Sequence, residues 1–489
     1  MVSALSRRTL RKDTMKRPLR LLTGLLLVLV MVGIAVPLAM YLTPRVLAVS
    51  DPAPSAPPVT PAPQVPPTAV PLPDVVTPLS PAAPAPEPAV LGPRLDAALA
   101  IPGSGSFAGT VIDSADGTVL YARDADRPQP PASNIKLLTA VAAMTFGRPD
   151  QVLETTVLSS GTAPGTLYLR GGGDVLLGSG PSDPDAVVGR AGLATLAADT
   201  AAALPDGSGP YSVHLDDSLF AGATLNPTWA DGDVQAGEVA PVHALAVNSA
   251  WLEEGRTGGP RSQDAALDAA RTFTAALVAA AGDRGIAVGP DVQRQVAPED
   301  AETVAAVASA PLEEQMRHML EISDNYLAEA LARIAALESG RPASFGGATE
   351  AITAAAVRLG VLRQGLSVGD AAGLSVRNAV SPAQLAQLVR GTTTSQEPGL
   401  AAVARSLPVA GLTGTLAARF TAEDGAGAGT VRAKTGTLNA VTGLTGHVVT
   451  ADGRLLVFSF LASGLDGTTA EARAAADGAA ALLAGCGCR

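Results

Sequence analysis

The sequence predicts an α+β fold in which an antiparallel sheet packs with helices and carries an inserted β-rich module. Strand-like segments occur early and late in the chain after residue 93, with helical segments between them, so the first and last segments close one domain. The chain of 489 residues also exceeds the size of one ordinary core. We therefore expect one domain from residues 94–155 and 311–489, with the module inserted at 156–310.

The first part of this domain is predicted to contain two helices and a hairpin. Arg94–Ala100 forms a short helix. Gly109–Asp113 and Thr118–Arg123 alternate in polarity on either side of a turn, which is typical of a β-hairpin. A helix follows over Ser133–Met144, and Ser133 is suited to cap its N-terminus.

The inserted module is marked by a change of pattern. Short β-like runs and Gly/Asp turns fill residues 156–310, with one helix over Gln263–Ala281. The segment Glu313–Leu337 is then strongly helical, but Ser323-Asp324-Asn325 interrupts it. Such a break can project a hydroxyl and an amide into a cleft.

The C-terminal part supplies the strands that complete the sheet. Gly429–Leu438, Val441–Val449 and Leu455–Ala462 have strand-like patterns, and the Ala-rich segment Thr468–Leu483 is a final helix.

Residues 1–48 predict a cytoplasmic tail followed by a membrane anchor. Seven basic residues precede the apolar run Leu21–Leu42, which is long enough to cross a bilayer core of about 30 Å. The positive flank places the rest of the chain outside the cytoplasm. A cleaved signal peptide is the alternative, since Val46–Ala48 offers small residues for cleavage. Residues 49–93 predict a linker, because 16 of the 39 prolines lie between positions 51 and 93.

Charge and residue spacing exclude several classes of function. Beyond Arg20 the chain has 27 basic and 44 acidic residues, a net charge of −17, which disfavours a nucleic-acid partner. The four histidines show no metal-binding spacing, so no metal or cofactor is implied. The two cysteines, Cys486 and Cys488, can pair with each other or with a partner but cannot staple the fold. Their position favours a frayed tail without function.

The lysine count gives the strongest sequence signal. Only four lysines occur in the chain, and only Lys136 and Lys434 lie beyond the N-terminal tail. Unlike Arg, a buried Lys can lose its proton, so retention of Lys at two positions indicates a site that needs an amine. Lys136 follows Ser133 by three residues, which places hydroxyl and amine on one helix face. A second cation would lower the pKa of Lys136 further, and Lys434 is the candidate.

Lys434 begins a Lys-Thr-Gly-Thr segment on a predicted strand, whose edge can pair with a peptide-like substrate. In chain order, the three elements are the Ser-x-x-Lys segment Ser133–Lys136, the Ser-Asp-Asn segment Ser323–Asn325 and the Lys-Thr-Gly segment Lys434–Gly436. This set is typical of class A β-lactamases and penicillin-binding proteins.

From about Arg94 to Leu483 the sequence resembles the D-alanyl-D-alanine carboxypeptidase/endopeptidase family, the class C low-molecular-mass penicillin-binding proteins. The resemblance implies a penicillin-binding-protein/β-lactamase-like transpeptidase domain. Further family-like segments are Gly171–Asp174, His214–Ser218, Ala244–Asn248, Asp370–Ser375 and Leu407–Gly411.

The resemblance also implies a role for each motif residue. Ser133 is expected to be the acylated nucleophile and Lys136 its base. Ser323 is expected to relay a proton to the leaving amine, and Asn325 to orient substrate and Lys136. The terminal carboxylate of the substrate is expected to bind to the strand that contains Lys434, Thr435, Gly436 and Thr437. The backbone N–H groups of Ser133 and Thr437 are expected to form an oxyanion hole.

These roles imply a serine-type D-Ala-D-Ala carboxypeptidase or endopeptidase that acts on peptidoglycan stem peptides and is acylated by β-lactams. The N-terminal segment implies that it is held at the cell membrane with its catalytic domain outside, or secreted if that segment is cleaved. The balance between carboxypeptidase, endopeptidase and transpeptidase activity is left open.

Two other functions fit parts of the pattern. A β-lactamase shares the triplet, but no Glu-x-x-x-Asn segment lies between the second and third motifs to supply the class A base. A catalytically silent wall-binding scaffold would have no need of a deprotonatable amine, so the intact Ser133, Lys136 and Lys434 argue against it.

Overall fold

The computed structural model describes residues 79–80, 82–421 and 425–488. The expected anchor over Leu21–Leu42 and most of the Pro-rich linker lie outside the described residues. Among the helices that are described, none is long and apolar enough to cross a membrane.

A five-stranded antiparallel sheet joins the beginning and the end of the described chain. The first strand, β1, pairs with β10, which lies at the centre of the sheet, with Ser106 opposite Ser463 and Asp113 opposite Leu456. The order across the sheet is β2-β1-β10-β9-β8, which leaves β8 at one edge. The predicted hairpin, the three C-terminal strands and the closure of the domain by its two ends are therefore confirmed. The strands are β1 Ser106–Asp113, β2 Val119–Arg123, β8 Arg432–Leu438, β9 Val441–Val449 and β10 Leu455–Ser463.

Helices cover both faces of this sheet. Successive side chains of a strand point to opposite sides, and in β10 the side chains on both sides are buried. Val457 and Leu461 of β10 join the core formed with the central helices, whereas Phe458 and Phe460 join the core formed with the first and last helices. The central helices are α2 Ile135–Phe146, α6 Leu312–Ile322, α7 Asn325–Glu338, α8 Phe345–Arg358, α9 Pro382–Thr393 and α10 Pro398–Arg405. The terminal helices are α1 Pro88–Ala98 and α11 Thr469–Ala484.

The two ends of the described chain differ from the sequence expectations. Helix α1 begins at Pro88, six residues before the predicted start at Arg94. Proline is tolerated in the first turn of a helix, and Leu91 is fully buried, so this part of the proline-rich segment belongs to the folded domain. The expectation of a frayed C-terminal tail is wrong. Cys486 and Cys488 form a disulfide, are almost fully buried, and pack with the core beside α1 and α11.

A second five-stranded sheet is built from residues 154–308, with the order β6-β5-β4-β3-β7. It is mixed, since β5 pairs in parallel with both β4 and β6, while β3 pairs antiparallel with β4 and β7. Two helices pack against it in a core of their own, and the one over residues 193–203 was not predicted. The elements are β3 Glu154–Ser159, β4 Thr166–Arg170, α3 Leu193–Ala203, β5 Tyr211–Asp216, α4 Asp231–Gln235, α5 Ala265–Gly282, β6 Val288–Arg294 and β7 Glu302–Ala308.

Candidate active site

Ser133 lies in a short 3₁₀ turn, Ala132–Asn134, immediately before α2. The prediction that Ser133 caps this helix is wrong, since its side chain makes no cap hydrogen bond and contacts Lys136 instead. Ten of the twelve residues of α2, including Lys136, are buried. The turn therefore leaves Ser133 partly accessible at the end of a helix that is otherwise fixed in the core.

Lys136 is fully buried and has three polar neighbours. Its Nζ lies 3.1 Å from Ser133 Oγ, and it donates to Asn325 Oδ1 at 2.6 Å and to the Ala372 carbonyl oxygen at 2.6 Å. The predicted placement of hydroxyl and amine on one face is therefore observed. The amine also connects three separate segments of the chain.

The break in the predicted helix has a local cause. Ser323 adopts the left-handed conformation, with φ 61° and ψ 38°, and ends α6. Asp324 then caps α7, because its carboxylate accepts hydrogen bonds from the N–H groups of Tyr326 and Leu327. Asn325 is the first residue of α7, and its Nδ2 donates to the Glu238 carbonyl oxygen at 2.9 Å, which directs Oδ1 to Lys136.

Lys434 lies on the edge strand β8 and is fully buried. Its Nζ donates to Ser323 Oγ at 2.9 Å and to the Thr435 carbonyl oxygen at 2.9 Å. The second and third motifs therefore meet through one hydrogen bond. Thr435 Oγ1 donates to Thr415 Oγ1 at 3.0 Å, while Thr437 is exposed.

The backbone of β8 presents donors to its open edge. The N–H of Ala433 donates to the Pro408 carbonyl oxygen, on the side of the strand away from β9. Alternate residues of a regular strand direct their N–H groups to the same side, so those of Thr435 and Thr437 also face away from β9.

Gly436 brings the Ser133 turn and β8 together. A Cβ at this position would lie 2.8 Å from the Pro131 carbonyl oxygen and 2.6 Å from Asn134 Nδ2. Gly443, its partner on β9, has the same 2.6 Å approach to Asn134 Nδ2. Glycine at these two positions lets the turn that carries the nucleophile lie directly against the sheet.

Burial dominates the electrostatics of both lysines. Burial lowers the pKa of Lys136 to about 8, against the opposing effect of four nearby carboxylates. The pKa of Lys434 is lowered well below its usual value, first by burial and then by the positive charge of Lys136. We expected Lys434 to lower the pKa of Lys136, but the effect found runs in the other direction, from Lys136 to Lys434. The four carboxylates belong to Asp370, Asp324, Glu329 and Glu238.

A cavity of about 170 Å³ adjoins the second motif. Ser323 and Asn325 line one side, and Glu238, Trp251 and Arg261 line another. The Arg261 guanidinium lies 3.5 Å from the centre of the Trp251 ring. Residues from the 156–310 segment therefore form part of the wall beside the motif residues.

The structure brings Ser133, Lys136 and Asn325 into one group and Ser323 and Lys434 into another, adjoining group. Sequence reasoning missed the Ala372 carbonyl and the buried Glu329, although the family-like segment Asp370–Ser375 and the spacing of four residues from Asn325 to Glu329 were visible. Within the residues that the structure describes, no cluster of His, Cys, Asp or Glu could hold a metal ion.

A partly accessible serine beside a buried amine, flanked by a Ser-Asp-Asn turn and a Lys-Thr-Gly edge strand, defines a serine acyl-transfer enzyme of the penicillin-binding-protein type. The profile of the D-Ala-D-Ala carboxypeptidase 3 (S13) family matches residues 91–257 and 253–484. The chain belongs to this family, so the predicted family and enzyme class are confirmed.

Relatives of known name cover most of the chain. Carboxypeptidase DacB of Mycolicibacterium smegmatis is 35% identical over 429 residues, which cover 87% of this chain and 90% of the relative. The D-alanyl-D-alanine carboxypeptidase of Actinomadura sp. strain R39 is 29% identical, covering 76% of this chain and 81% of the relative. Penicillin binding protein 4 of Haemophilus influenzae has the same fold, with a TM-score of 0.61 at 20% identity over 79% of this chain and 97% of that protein. The predicted fold class is confirmed.

Proposed function

We propose that the protein hydrolyses the terminal D-Ala-D-Ala bond of peptidoglycan stem peptides through an acyl-enzyme on Ser133. The observation that carries this proposal is the environment of the Lys136 amine, 3.1 Å from Ser133 Oγ. A neutral amine has two N–H donors and one lone pair. The Asn325 and Ala372 oxygens can only accept, so they take the two donors. The lone pair is left for Ser133, whose hydroxyl has a proton to give.

In the proposed reaction, the Ser133 hydroxyl transfers its proton to Lys136 Nζ while Oγ attacks the carbonyl carbon of the penultimate D-Ala. The developing oxyanion is received by the backbone N–H groups of Ser133 and Thr437, and one such donor is commonly worth about 3 kcal/mol. The C–N bond then breaks, and the proton returns to the leaving amine with Ser323 as relay. Water hydrolyses the ester and frees Ser133.

Lys434 is proposed to bind the terminal carboxylate of the substrate. Its amine reaches Ser323 Oγ, so a carboxylate bound there would lie beside the leaving D-Ala amine. The negative charge of the substrate would favour the ammonium form of Lys434, against the burial that lowers its pKa in the free enzyme. Thr435 and Thr437 supply N–H groups along the same open edge, where an extended peptide can pair.

The enzyme is proposed to act outside the cytoplasm, with residues 1–48 as an anchor and the Pro-rich segment that precedes α1 as a linker, or as a secreted protein if the anchor is cleaved. We also propose residues 156–310 as an inserted module and β-lactams as covalent inhibitors. In support, penicillin binding protein 4 of H. influenzae has been solved in complex with a β-lactam. Opening of peptide cross-links is a second activity that the same acyl chemistry allows.

Mass spectrometry after incubation with benzylpenicillin tests the proposal. We expect one covalent adduct on the wild type and none on Ser133→Ala. An adduct that persists in Ser133→Ala, or its absence from the wild type, would refute the assignment. Release of D-Ala from a stem pentapeptide separates an enzyme from a silent scaffold. Continuous turnover of nitrocefin would favour the β-lactamase alternative.

A further inference from the structure

A buried turn over residues 370–373 supplies one of the two acceptors of the Lys136 amine. Glu329 holds this turn in place, since its Oε1 accepts hydrogen bonds from the N–H groups of Ala371 at 2.8 Å and Ala372 at 3.0 Å. The Glu329 side chain is fully buried. It touches neither Ser133 nor Lys136 through these bonds, but it fixes the peptide groups that precede the Ala372 carbonyl.

The position of Glu329 on α7 links it to the catalytic residues. It follows Asn325 by four residues, so the two side chains lie on one face of the helix, one turn apart. Asn325 contacts Lys136 directly through its Oδ1. One face of α7 therefore controls both acceptors of the amine, the first by direct contact and the second through the turn.

The other end of the turn is held against the nucleophile. The Asp370 carboxylate accepts from the N–H groups of Gly373 and Leu374, both at 2.9 Å. A Cβ on Gly373, where φ is +101°, would lie 2.2 Å from the Ala132 carbonyl oxygen. The turn thus packs directly on the peptide that precedes Ser133, and a shift of the turn would move Ser133 and the Lys136 acceptor together.

We propose that Glu329 is a positioning residue that keeps the lone pair of Lys136 directed at Ser133, by holding the Ala372 carbonyl in place. If that carbonyl moves, one N–H of the amine loses its acceptor and can turn toward Ser133, which displaces the lone pair. The function of Glu329 is geometric: its Oε1 accepts both N–H bonds whether the carboxyl is ionised or protonated. This inference rests on the proposed role of Lys136 as the base.

Two substitutions separate position from charge. Glu329→Gln keeps an oxygen at the same reach but cannot ionise, whereas Glu329→Asp keeps a carboxyl group but shortens the side chain by one methylene. We expect E329Q to retain at least about a third of the wild-type second-order rate of acylation by a fluorescent penicillin. We expect E329D to lose about tenfold or more, measured per folded molecule. Leu331→Ala is the matched control, because Leu331 is buried on the opposite face of the same helix.

Each outcome has a defined meaning. A lower melting temperature with an unchanged rate in L331A, together with a rate loss in E329D that E329Q largely avoids, supports the proposal. A rate loss larger in E329Q than in E329D would assign the effect to charge and overturn it. E329D acylated as fast as L331A would show a structural role only. If E329D does not fold, loss of more than about tenfold in E329Q overturns the proposal, and a smaller loss supports it. Absence of acylation in the wild type would refute the proposed function instead.

Discussion

The two buried lysines of the site lie in contrasting surroundings. Lys136 donates to two carbonyl oxygens, and four carboxylates counteract the burial that lowers its pKa to about 8. Lys434 contacts a hydroxyl and one backbone carbonyl, and the charges that act on it in the described part of the chain are the cations Lys136 and Arg419. The first environment holds a proton weakly enough to release it near neutral pH. Among the described residues no anion acts on Lys434, and the carboxylate of a substrate would supply one.

The same residue type is therefore suited to opposite tasks. An amine that acts as a base must be able to become neutral, whereas an amine that binds a carboxylate is needed as a cation. The comparison predicts different responses of the two positions to substitution, to pH and to the charge of the substrate.

The largest effect is expected from Lys136→Arg. A guanidinium stays protonated in proteins and cannot accept the Ser133 proton. Acylation by a fluorescent penicillin should fall by about 10³-fold or more, as expected for loss of a general base that acts with the nucleophile. Lys434→Arg is the matched control, since it retains a cation and should keep a measurable rate. Equal losses in the two variants would contradict the division of tasks.

Lys434→Ala should have the next largest effect. We expect kcat/KM for a peptide that ends in D-Ala-D-Ala to fall about 10²-fold. The physical reason is loss of the cation that pairs with the terminal carboxylate. Release of the last residue, measured with the free acid and with the C-terminal amide of the same peptide, checks this prediction. The wild type should strongly prefer the acid and the variant should not. A preference that survives the substitution would place the carboxylate elsewhere.

The pH dependence of acylation tests the other half of the comparison. Because burial lowers the pKa of Lys136 to about 8, the amine is mainly charged below that pH and mainly neutral above it. The second-order rate of acylation should rise about tenfold per unit toward pH 8 and level off above it. Stopped-flow measurement between pH 6 and 9, with a fluorescent β-lactam that is stable over this range, gives the pH profile of the acylation rate. A rate that falls as pH rises through this range would contradict Lys136 as the base.

The sequence was sufficient to predict the motif residues, because side chains that carry chemistry have a signature in residue type and spacing. The count of lysines, the order of the three motifs and the break at Ser323 predicted which residues meet, and the structure places them within hydrogen-bonding distance.

Backbone groups and distant partners could not be predicted in the same way. The Ala372 carbonyl that binds Lys136 has no signature in residue type, because every residue has one. The burial of the cysteine pair depends on α1, whose first turn was assigned to the linker because of its prolines. The parallel pairing of β4 with β5 depends on a crossover that contains an unpredicted helix.

A smaller effect, on stability, is expected where the Ser133 turn contacts β8. Gly436→Ala would place a Cβ 2.8 Å from the Pro131 carbonyl oxygen, so the Ser133 turn must move away from β8. Overpacking of this kind usually costs about 1–3 kcal/mol of stability. Thermal unfolding measures it. Gly478→Ala is the control, because that helical position has open space and should be stabilised by up to about 1 kcal/mol. An unchanged melting temperature in G436A would argue against tight contact between turn and strand.

The smallest effect is expected from Thr437→Ala, at the open edge of the half that binds the carboxylate. The Thr437 side chain is exposed, and its backbone N–H, which faces away from β9, is retained in the variant. Loss of one exposed hydroxyl contact should raise KM about threefold and leave kcat nearly unchanged. Thr435→Ala is compared in parallel, because that hydroxyl is already bonded to Thr415. If T437A instead lowers kcat by more than about tenfold at constant KM, the hydroxyl takes part in the chemistry. The half of the site with Lys434 would then do more than bind.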